Sequence, residues 1–410
     1  MKSTLAFTAC LSAVLAQSPS LSELIQSQSD LSILGDALSI VPDLAETLSG
    51  LKDVTILAPT DSAFKDLLAQ DPNQENTAIT QRNPEAIAAL LAYHVLNGTY
   101  VSTDFNGVPT YVNTLFTQSY VIDGSAATNV TDGQNVGLVL NGKNATILSG
   151  ELQSANVVQA DIQSVSGITV HKIDEVLVIP RNLSATLSRL PQVGLSAALG
   201  ALTATELVET VDTVEDLTIF VPNNDAFVIA ASAFANASVE TLTSVLTYHA
   251  VTGAVVFASD VTNTTVDTVN GNKLTLSVGT DGTVYVNNAK VVLPNIILSN
   301  GVAHIIDTVL NPEQEVENPT PAATPTPAFS GASAVGTDIP FTSAAGAQET
   351  DSISIPAIAT TAQFVSPGGE NASASAPVAT PTSSEFPGVA GKVKGALGGA
   401  AIGLGVALML

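Results

Sequence analysis

The chain has 410 residues, with 37 acidic and 12 basic side chains and a formal net charge of −25. A negative field of this size repels phosphate backbones, and no Lys/Arg cluster opposes it, so the composition excludes nucleic-acid binding. Hydrophobic residues make up 45% of the sequence, which is enough for packed cores and excludes a wholly disordered chain.

The first 16 residues predict a secretory signal peptide. Lys2 precedes an apolar run that ends at Leu15, and Val14 and Ala16 fit the small-residue positions before a cleavage site. The sole cysteine, Cys10, lies inside this stretch. We therefore expect a secreted chain that begins at residue 17 and has no disulfide, thiolate metal site or cysteine nucleophile.

Next in the chain, residues 17–312 contain three sequence blocks that occur twice in the same order. Their first copies are 55–64 (TILAPTDSAF), 91–95 (LAYHV) and 167–177 (GITVHKIDEVL). Their second copies are 218–227 (TIFVPNNDAF), 246–250 (LTYHA) and 301–310 (GVAHIIDTVL). The blocks span 123 residues in the first copy and 93 in the second, so the repeat predicts two homologous domains rather than a solenoid of short units.

These blocks resemble the two signatures and the central Tyr-His motif of the fasciclin (FAS1) domain family. The resemblance implies an α+β fold of two tandem fasciclin domains, each a β-sandwich-like wedge with packed helices, at residues 17–180 and 181–312. It also identifies as structural signature residues Pro59, Phe64, His171, Asp174, Pro222, Phe227, His304 and Asp307.

Local patterns predict the same fold class. Apolar spacing predicts helix over residues 21–40, and Asn83 before Pro84 predicts a helix start. Short apolar strands at Thr55–Ala58 and Leu217–Val221 end at proline.

Two further local patterns concern caps and hairpins. We expect Asp61 and Asn224 to cap the helices that follow the two prolines. Alternating residues around 141–142 and 279–282 predict β-hairpins. The first copy is longer between its two histidines, which predicts an insertion within residues 106–133.

The four histidines all lie in the repeated blocks. One interpretation places His94 with His171, and His249 with His304, near Asp174 or Asp307 as a zinc site or half of a catalytic triad. The other is structural, because a histidine in an apolar run must hydrogen-bond nearby; the following aspartate could accept that bond or bind backbone donors at its own turn. We favour the structural interpretation and expect no enzyme activity and no cofactor, since no hydrolase or phosphate-loop motif occurs.

The resemblance also suggests an adhesion motif. In animal members of the family, Tyr-His and an Asp-Ile dipeptide have been implicated in integrin binding. The matching residues here are Tyr93, His94, Asp161, Ile162, Tyr248 and His249. The second domain has Asn295-Ile296 in place of Asp-Ile, which removes the carboxylate that a metal-bridged contact needs. The apolar flanks of Tyr-His favour core packing as the alternative.

Seven Asn-x-Ser/Thr sequons are candidate N-glycan acceptors: Asn97, Asn129, Asn144, Asn182, Asn236, Asn263 and Asn371.

Residues 313–388 contain ten prolines and no Lys or Arg, which predicts a disordered, O-glycosylated Pro/Ser/Thr/Ala-rich stalk. The uncharged tail at 396–410 resembles a GPI-attachment signal, with 389–410 as the propeptide and Gly388 as the attachment residue. Ser383, Ser384 and Gly391 remain alternatives. This tail is shorter than the ~20 residues of a membrane-spanning helix.

Together these features predict an adhesion protein of the cell surface or cell wall, held to the membrane only by a GPI lipid. We expect it to bind an extracellular protein or glycan without catalysis. Two alternatives stay open: a surface protein that binds or hydrolyses a small molecule through the histidines and aspartates, and a structural wall or vacuolar protein without a specific receptor.

Overall fold

The structure is a computed structural model that describes residues 21–71, 73–122, 124–163, 167–314, 328–335, 339–346, 353 and 355–361. The predicted signal peptide, the predicted GPI propeptide, Gly388 and Asn371 lie outside these residues. Within them, no helix is both long enough and apolar enough to cross a membrane.

Helices predominate in the first half of each domain, as the sequence predicts. Those of domain 1 are α1 (Leu21–Ser27), α2 (Ser32–Ile40), α3 (Pro42–Gly50), α4 (Asp61–Ala69), α5 (Gln74–Thr80) and α6 (Pro84–Tyr93). Those of domain 2 are α7 (Leu183–Ser188), α8 (Ser196–Ala204), α9 (Val208–Thr213), α10 (Asn224–Ile229), α11 (Ala231–Phe234) and α12 (Val239–Tyr248). A short helix, α13 (Ala357–Thr361), follows domain 2. The helix expected over 21–40 is therefore two helices.

Strands dominate the second halves. Those of domain 1 are β1 (Thr55–Pro59), β2 (Val95–Leu96), β3 (Thr110–Asn113), β4 (Val121–Ile122), β5 (Ser125–Ala126), β6 (Asn135–Asn141), β7 (Asn144–Leu148), β8 (Ser154–Gln163) and β9 (Thr169–Ile173). Those of domain 2 are β10 (Leu217–Pro222), β11 (Ala250–Val251), β12 (Thr264–Asp267), β13 (Lys273–Val278), β14 (Val284–Val286), β15 (Ala289–Leu298) and β16 (Gly301–Ile306). Both predicted hairpins are confirmed as β6–β7 and β13–β14.

In the described part of each domain, seven strands form one sheet, in the order β2-β1-β9-β8-β7-β6-β3 and β11-β10-β16-β15-β14-β13-β12. β1 pairs in parallel with β9, and β10 with β16. The first and last repeated blocks of each domain are therefore neighbouring strands, with Leu57 opposite His171 and Phe220 opposite His304. The α+β fold class is confirmed, and the identical strand order confirms that the two domains are copies of one fold.

The parallel pair of domain 2 depends on a glycine. Gly301 begins β16 opposite Leu217 with φ +152, a backbone conformation that favours glycine. A Cβ atom at this position would lie 1.9 Å from the carbonyl oxygen of Leu217. Gly301 is thus required where β16 enters the sheet.

The helix caps correct one sequence prediction. Thr60 and Asn223, not Asp61 and Asn224, cap α4 and α10 by accepting the backbone N–H groups of the third residues of those helices. Asp61 instead accepts the N–H of Ile33 at 2.9 Å, at the start of α2, and Asn224 plays the same part for α8. The prediction was wrong by one residue because the side chain at the first helical position points toward a neighbouring helix.

The two copies differ by an insertion within domain 1. Residues 114–134 connect β3 to β6, whereas residues 268–272 connect the equivalent strands β12 and β13. The extra segment includes the β4–β5 hairpin. Nearly all of it lies within the range that the sequence predicts, and it reaches domain 2.

Part of the region predicted as a stalk contacts domain 2. Phe329 and Phe341 pack against Phe234 with ring centroids 5.3 and 6.0 Å away. The backbone of Ser333 pairs with Ser232, donating to its Oγ at 2.9 Å and accepting from its N–H at 3.1 Å. We refer to residues 328–335 and 339–346 as the strap.

Candidate functional site

The two tyrosines of the Tyr-His motifs are buried in the cores. Tyr93 is 0% and Tyr248 2% exposed, at the ends of α6 and α12. Their hydroxyls donate to the carbonyls of Asn135 at 3.1 Å and Lys273 at 2.8 Å, on the first strand of each hairpin. Burial raises the pKa of both phenols, which keeps them protonated as donors. Each tyrosine therefore ties a helix to the sheet and presents no surface to a partner.

His94 follows Tyr93 and joins two backbone segments. Its Nδ1 lies 2.8 Å from the carbonyl oxygen of Leu90, and its Nε2 accepts the N–H of Leu177 at 2.9 Å. A carbonyl can only accept, so the proton is on Nδ1 and the ring is neutral. Burial lowers the pKa of His94 to about 4, although the bond to Leu90 partly offsets this effect.

His249 repeats this arrangement in domain 2. Its Nδ1 donates to Val245 O at 2.7 Å, and its Nε2 accepts the N–H of Leu310 at 2.9 Å. Burial lowers its pKa to about 4 as well. In both domains the Tyr-His histidine holds the closing block against the central helix, an arrangement that supports core packing over surface contact.

The closing-block histidines form a second kind of bridge. In domain 1, His171 Nδ1 accepts the N–H of Asp161 at 3.1 Å, and its Nε2 donates to Tyr100 O at 2.8 Å. Asp161 lies where β8 bulges against β9, with φ 56. The buried ring therefore holds both the bulge and the loop after β2.

His304 makes the matching bridge in domain 2. It accepts the N–H of Asn295 at 3.3 Å and donates to Val256 O at 2.9 Å. Burial lowers its pKa to about 4, partly opposed by the bond to Val256. All eight ring nitrogens of the four histidines are thus bonded to backbone groups, which leaves none of them as a ligand or a base.

The signature aspartates bind neighbouring backbone rather than the histidines. Asp174 accepts the N–H of Asn156 at 2.6 Å, and Asp307 that of Lys290 at 2.9 Å. Each carboxylate joins the end of β9 or β16 to the adjacent strand, β8 or β15. The backbone donors lie on the next strand and not in the aspartate's own turn, where the second interpretation expects them. Side chains donate as well, from Asn156 to Asp174 and from Thr308 to Asp307, both at 3.0 Å.

The Asp-Ile position differs between the domains. Asp161 is exposed, and its carboxylate accepts the N–H of Ser102 at 2.8 Å and the Ser102 hydroxyl. Asn295, the domain-2 equivalent, is only 5% exposed and accepts the N–H of Ala258 at 2.8 Å. Ile162 is half-buried. Of the candidate adhesion residues, Asp161 is therefore the one with a charged group at the surface.

The remaining signature residues are part of the cores. Pro59 and Pro222 end β1 and β10, where a proline no longer needs to donate to the sheet. Phe64 and Phe227 are 1% and 0% exposed. Truncation of either ring to alanine should cost about 3 to 5 kcal/mol of stability.

The six described sequons fall into two groups. Four asparagines are exposed, in loops or at strand ends: Asn97, Asn144, Asn236 and Asn263. Asn182 is half-buried and caps α7 through its Oδ1. Asn129 is also half-buried, but it uses Nδ2, the atom to which a glycan attaches, to donate to Thr213 O at 2.8 Å.

Within the described residues, no three His, Cys, Asp or Glu side chains are grouped to hold a metal ion. A cavity of about 510 Å³ lies where α5 and α6 face the start of α7. Amides, hydroxyls, small apolar groups and Arg181 line it, and its lining includes no histidine and no carboxylate. The candidate catalytic residues and this cavity are therefore separate.

Sequence reasoning missed a set of residues that join the domains. Tyr111 of β3 stacks on Phe257 of domain 2 with centroids 3.8 Å apart, and Thr131 donates from its backbone to Asp216 at 2.9 Å. The predicted insertion was the one sequence signal for this interface. Its contacts could not be predicted, because no local pattern shows which surface an insertion packs against.

Comparisons with known proteins agree with the repeat. The fasciclin domain model matches residues 29–180 and 193–312. A fasciclin-like arabinogalactan protein of Arthroderma benhamiae is 31% identical over 327 residues, which cover 80% of this chain and 75% of the relative. Another, from Cercospora beticola, is 29% identical over 308 residues, covering 73% and 78%. A solved FAS1 domain pair from the insect cell adhesion molecule fasciclin I is 17% identical with TM-score 0.32, covering 68% of this chain and 97% of that one. With both repeats matched, the chain belongs to the fasciclin domain family and carries two tandem copies of the domain.

Proposed function

We propose that this protein is a secreted adhesion protein of the cell surface or cell wall. Its fasciclin domains bind an extracellular protein or glycan and carry out no catalysis, and a GPI lipid tethers it to the membrane. The fungal relatives named fasciclin-like arabinogalactan proteins support the surface assignment.

One observation carries the non-catalytic part of the proposal. In each of the four histidines, both ring nitrogens form hydrogen bonds with backbone groups. A general base or metal ligand needs a free nitrogen that faces substrate. This observation weighs against the alternative of a surface hydrolase, which would depend on these residues.

The surface chemistry of domain 1 favours it as the contact domain. Asp161 is exposed on a bulge that His171 and Ser102 hold in one conformation. The equivalent Asn295 of domain 2 is buried beside Phe257, on which Tyr111 of domain 1 stacks. We infer that partner contacts centre on the Asp161 bulge of domain 1.

A deletion strain tests the adhesion role. We expect loss of attachment to a defined surface, restored by the wild-type chain but not by Asp161→Asn. Asp53→Asn is the matched control, because Asp53 is also an exposed domain-1 aspartate with positive φ, 56°. Asparagine tolerates that conformation, so both variants should keep the wild-type melting temperature.

Two results would contradict the proposal. Full attachment without the gene, combined with a weakened wall, would favour the structural alternative. Equal attachment by Asp161→Asn and wild type would remove the bulge from the contact surface.

The tether needs its own experiment. Phospholipase C specific for inositol lipids should release the protein from intact cells, because the charge-free tail after Gly388 predicts lipid attachment. Retention after that treatment, together with retention of a chain truncated before Ala396, would show that another device holds the protein.

A further inference from the structure

The domain-1 insertion holds domain 2 through a dense set of hydrogen bonds. Thr128 Oγ1 and the backbone N–H of Asn129 both donate to Ser299 O, at 2.8 and 2.9 Å. Gln134 Nε2 donates to Leu298 O at 2.9 Å. The acceptors are the backbone carbonyls of the last residue of β15 and of the residue after it, so the insertion contacts domain 2 where this inner strand ends.

The Asn129 sequon lies at the centre of this contact. Besides the backbone bond to Ser299, its carbonyl accepts the N–H of Asp216 at 3.2 Å, and its Nδ2 donates to Thr213 O at 2.8 Å. Three atoms of one residue thus bind three groups of domain 2. This geometry places domain-2 backbone 2.8 Å from the nitrogen that would carry a sugar. A glycosylated Nδ2 keeps one hydrogen, so the conflict lies in the bulk of the sugar beside Thr213 and not in the loss of the donor.

The sequon hydroxyl is engaged as well. Thr131 donates to both carboxylate oxygens of Asp216, from its N–H at 2.9 Å and from its Oγ1 at 2.5 Å. Oligosaccharyl transfer needs the asparagine amide and the hydroxyl two residues later to be accessible together. In the docked structure domain 2 holds both.

The other sequons within the described residues do not share this conflict. Asn97 and Asn144 are exposed, and where Asn182 and Asn263 make side-chain bonds with backbone N–H groups they use Oδ1. Those asparagines can carry a sugar on Nδ2 while the described contacts persist. Asn129 is distinguished by the use of Nδ2 itself for a contact between domains.

We propose that a glycan on Asn129 and docking of the two domains are mutually exclusive, so that this sequon selects between a docked and an undocked form. Docking covers the domain-2 position equivalent to Asp161, since Tyr111 stacks on Phe257 beside Asn295. Glycosylation of Asn129 uncovers that position. The proposal rests on the proposed function in one respect, because the glycan requires passage through the secretory pathway.

Chain order makes the selection feasible. Thr213 and Asp216 follow Asn129 and Thr131 by 84 and 85 residues. During synthesis the sequon therefore emerges before the domain that would cover it. Transfer at that stage fixes the undocked form, and escape from transfer permits docking.

The test compares glycan occupancy with docking in the full-length secreted protein. Mass spectrometry measures occupancy at Asn129 and at the exposed control Asn97, and hydrogen exchange measures protection of the amides of Asn129, Thr131 and Asp216, which all donate between domains. We expect at least a ~10-fold loss of protection in molecules glycosylated at Asn129. Full protection in those molecules would overturn the proposal. Docked molecules that all lack the glycan would support it.

A cysteine variant allows the same test when the secreted protein carries no glycan at Asn129. Cys10 lies in the predicted signal peptide, so Asn129→Cys adds the single thiol of the secreted chain, to which a maleimide-linked oligosaccharide can be coupled. The coupled protein should lose the same protection, whereas Asn97→Cys carrying the same group should keep it. The uncoupled Asn129→Cys protein gives the reference level of protection for the coupled one.

The two proposals fail in different ways. Retained protection in the coupled Asn129→Cys protein refutes the exclusion. Absence of glycan at every sequon, Asn97 included, contradicts the secretory assignment instead.

Discussion

Acidification should destabilise domain 2 through its buried histidines. Burial lowers the pKa of His249 and His304 from an ordinary value of 6.5 to about 4 in the folded state. Between these values the unfolded chain binds protons that the folded domain excludes, so stability is complete above about pH 6.5 and is lost as the pH falls toward 4.

The size of the effect follows from the shift. With a folded-state pKa of about 4, each histidine costs about 2 kcal/mol of stability between pH 7 and pH 5. Domain 2 should therefore lose about 4 kcal/mol. Asp260, whose pKa burial raises, opposes this loss when it binds a proton in the folded state.

His304→Gln isolates one of the two terms. The substitution removes a titrating ring and weakens the bonds to Asn295 and Val256, so the domain should be less stable at pH 7 by ~1 to 3 kcal/mol. Its further loss between pH 7 and pH 5 should nevertheless fall to about 2 kcal/mol. The Asp260 contribution is the same in the wild type and in His304→Gln, so it cancels in the difference between their pH-dependent losses.

Denaturant unfolding with a domain-2 probe measures this at both pH values. Asn223→Ala is the control: Asn223 caps α10 of the same domain, so its loss costs about 1 kcal/mol without removing a titrating group. The control should keep the full pH-dependent loss. If His304→Gln and Asn223→Ala lose equal stability on acidification, the buried neutral histidine does not explain the pH dependence.

Three further predictions follow from single contacts. Asp174→Ala should destabilise domain 1 by ~1 to 3 kcal/mol and leave domain 2 unchanged, and Asp307→Ala should do the reverse, as measured by domain-resolved unfolding, because each carboxylate serves one sheet. Gly200→Leu should abolish hydrogen-exchange protection of the strap while domain 2 stays folded, since a Cβ there lies 2.0 Å from Phe341 O; a strap that remains protected would contradict the packing. A reducing agent should leave the melting temperature of the secreted chain unchanged, and a shift of several degrees would mean that Cys10 is retained and paired.

Short-range features of this protein could be predicted from its sequence. The helix that begins at Pro84, the strands that end at Pro59 and Pro222, and both hairpins are present as expected. Each depends on residues within a few positions, because caps, prolines and turn glycines act on their own backbone. The sequence repeat by itself indicates two copies of one fold.

The hydrogen-bond partners of the polar residues in the repeated blocks were decided by tertiary structure. Asp61 fits a cap of α4 by local rules, yet it binds the start of α2, 28 residues earlier in the chain. His94 bonds to Leu177 across 83 residues, which no local pattern could assign. The sequence left open whether such side chains are structural or catalytic. Their hydrogen-bond partners are set by the packing of the core.

The domain interface shows the same division most clearly. The sequence by itself determined that domain 1 carries an insertion and that Asn129 begins a sequon. Only the tertiary structure decided that Nδ2 of Asn129 donates to a carbonyl 84 residues away. Hydrogen bonds at this separation form only after both sheets have folded and docked, so their partners are properties of the assembled surfaces and not of any segment.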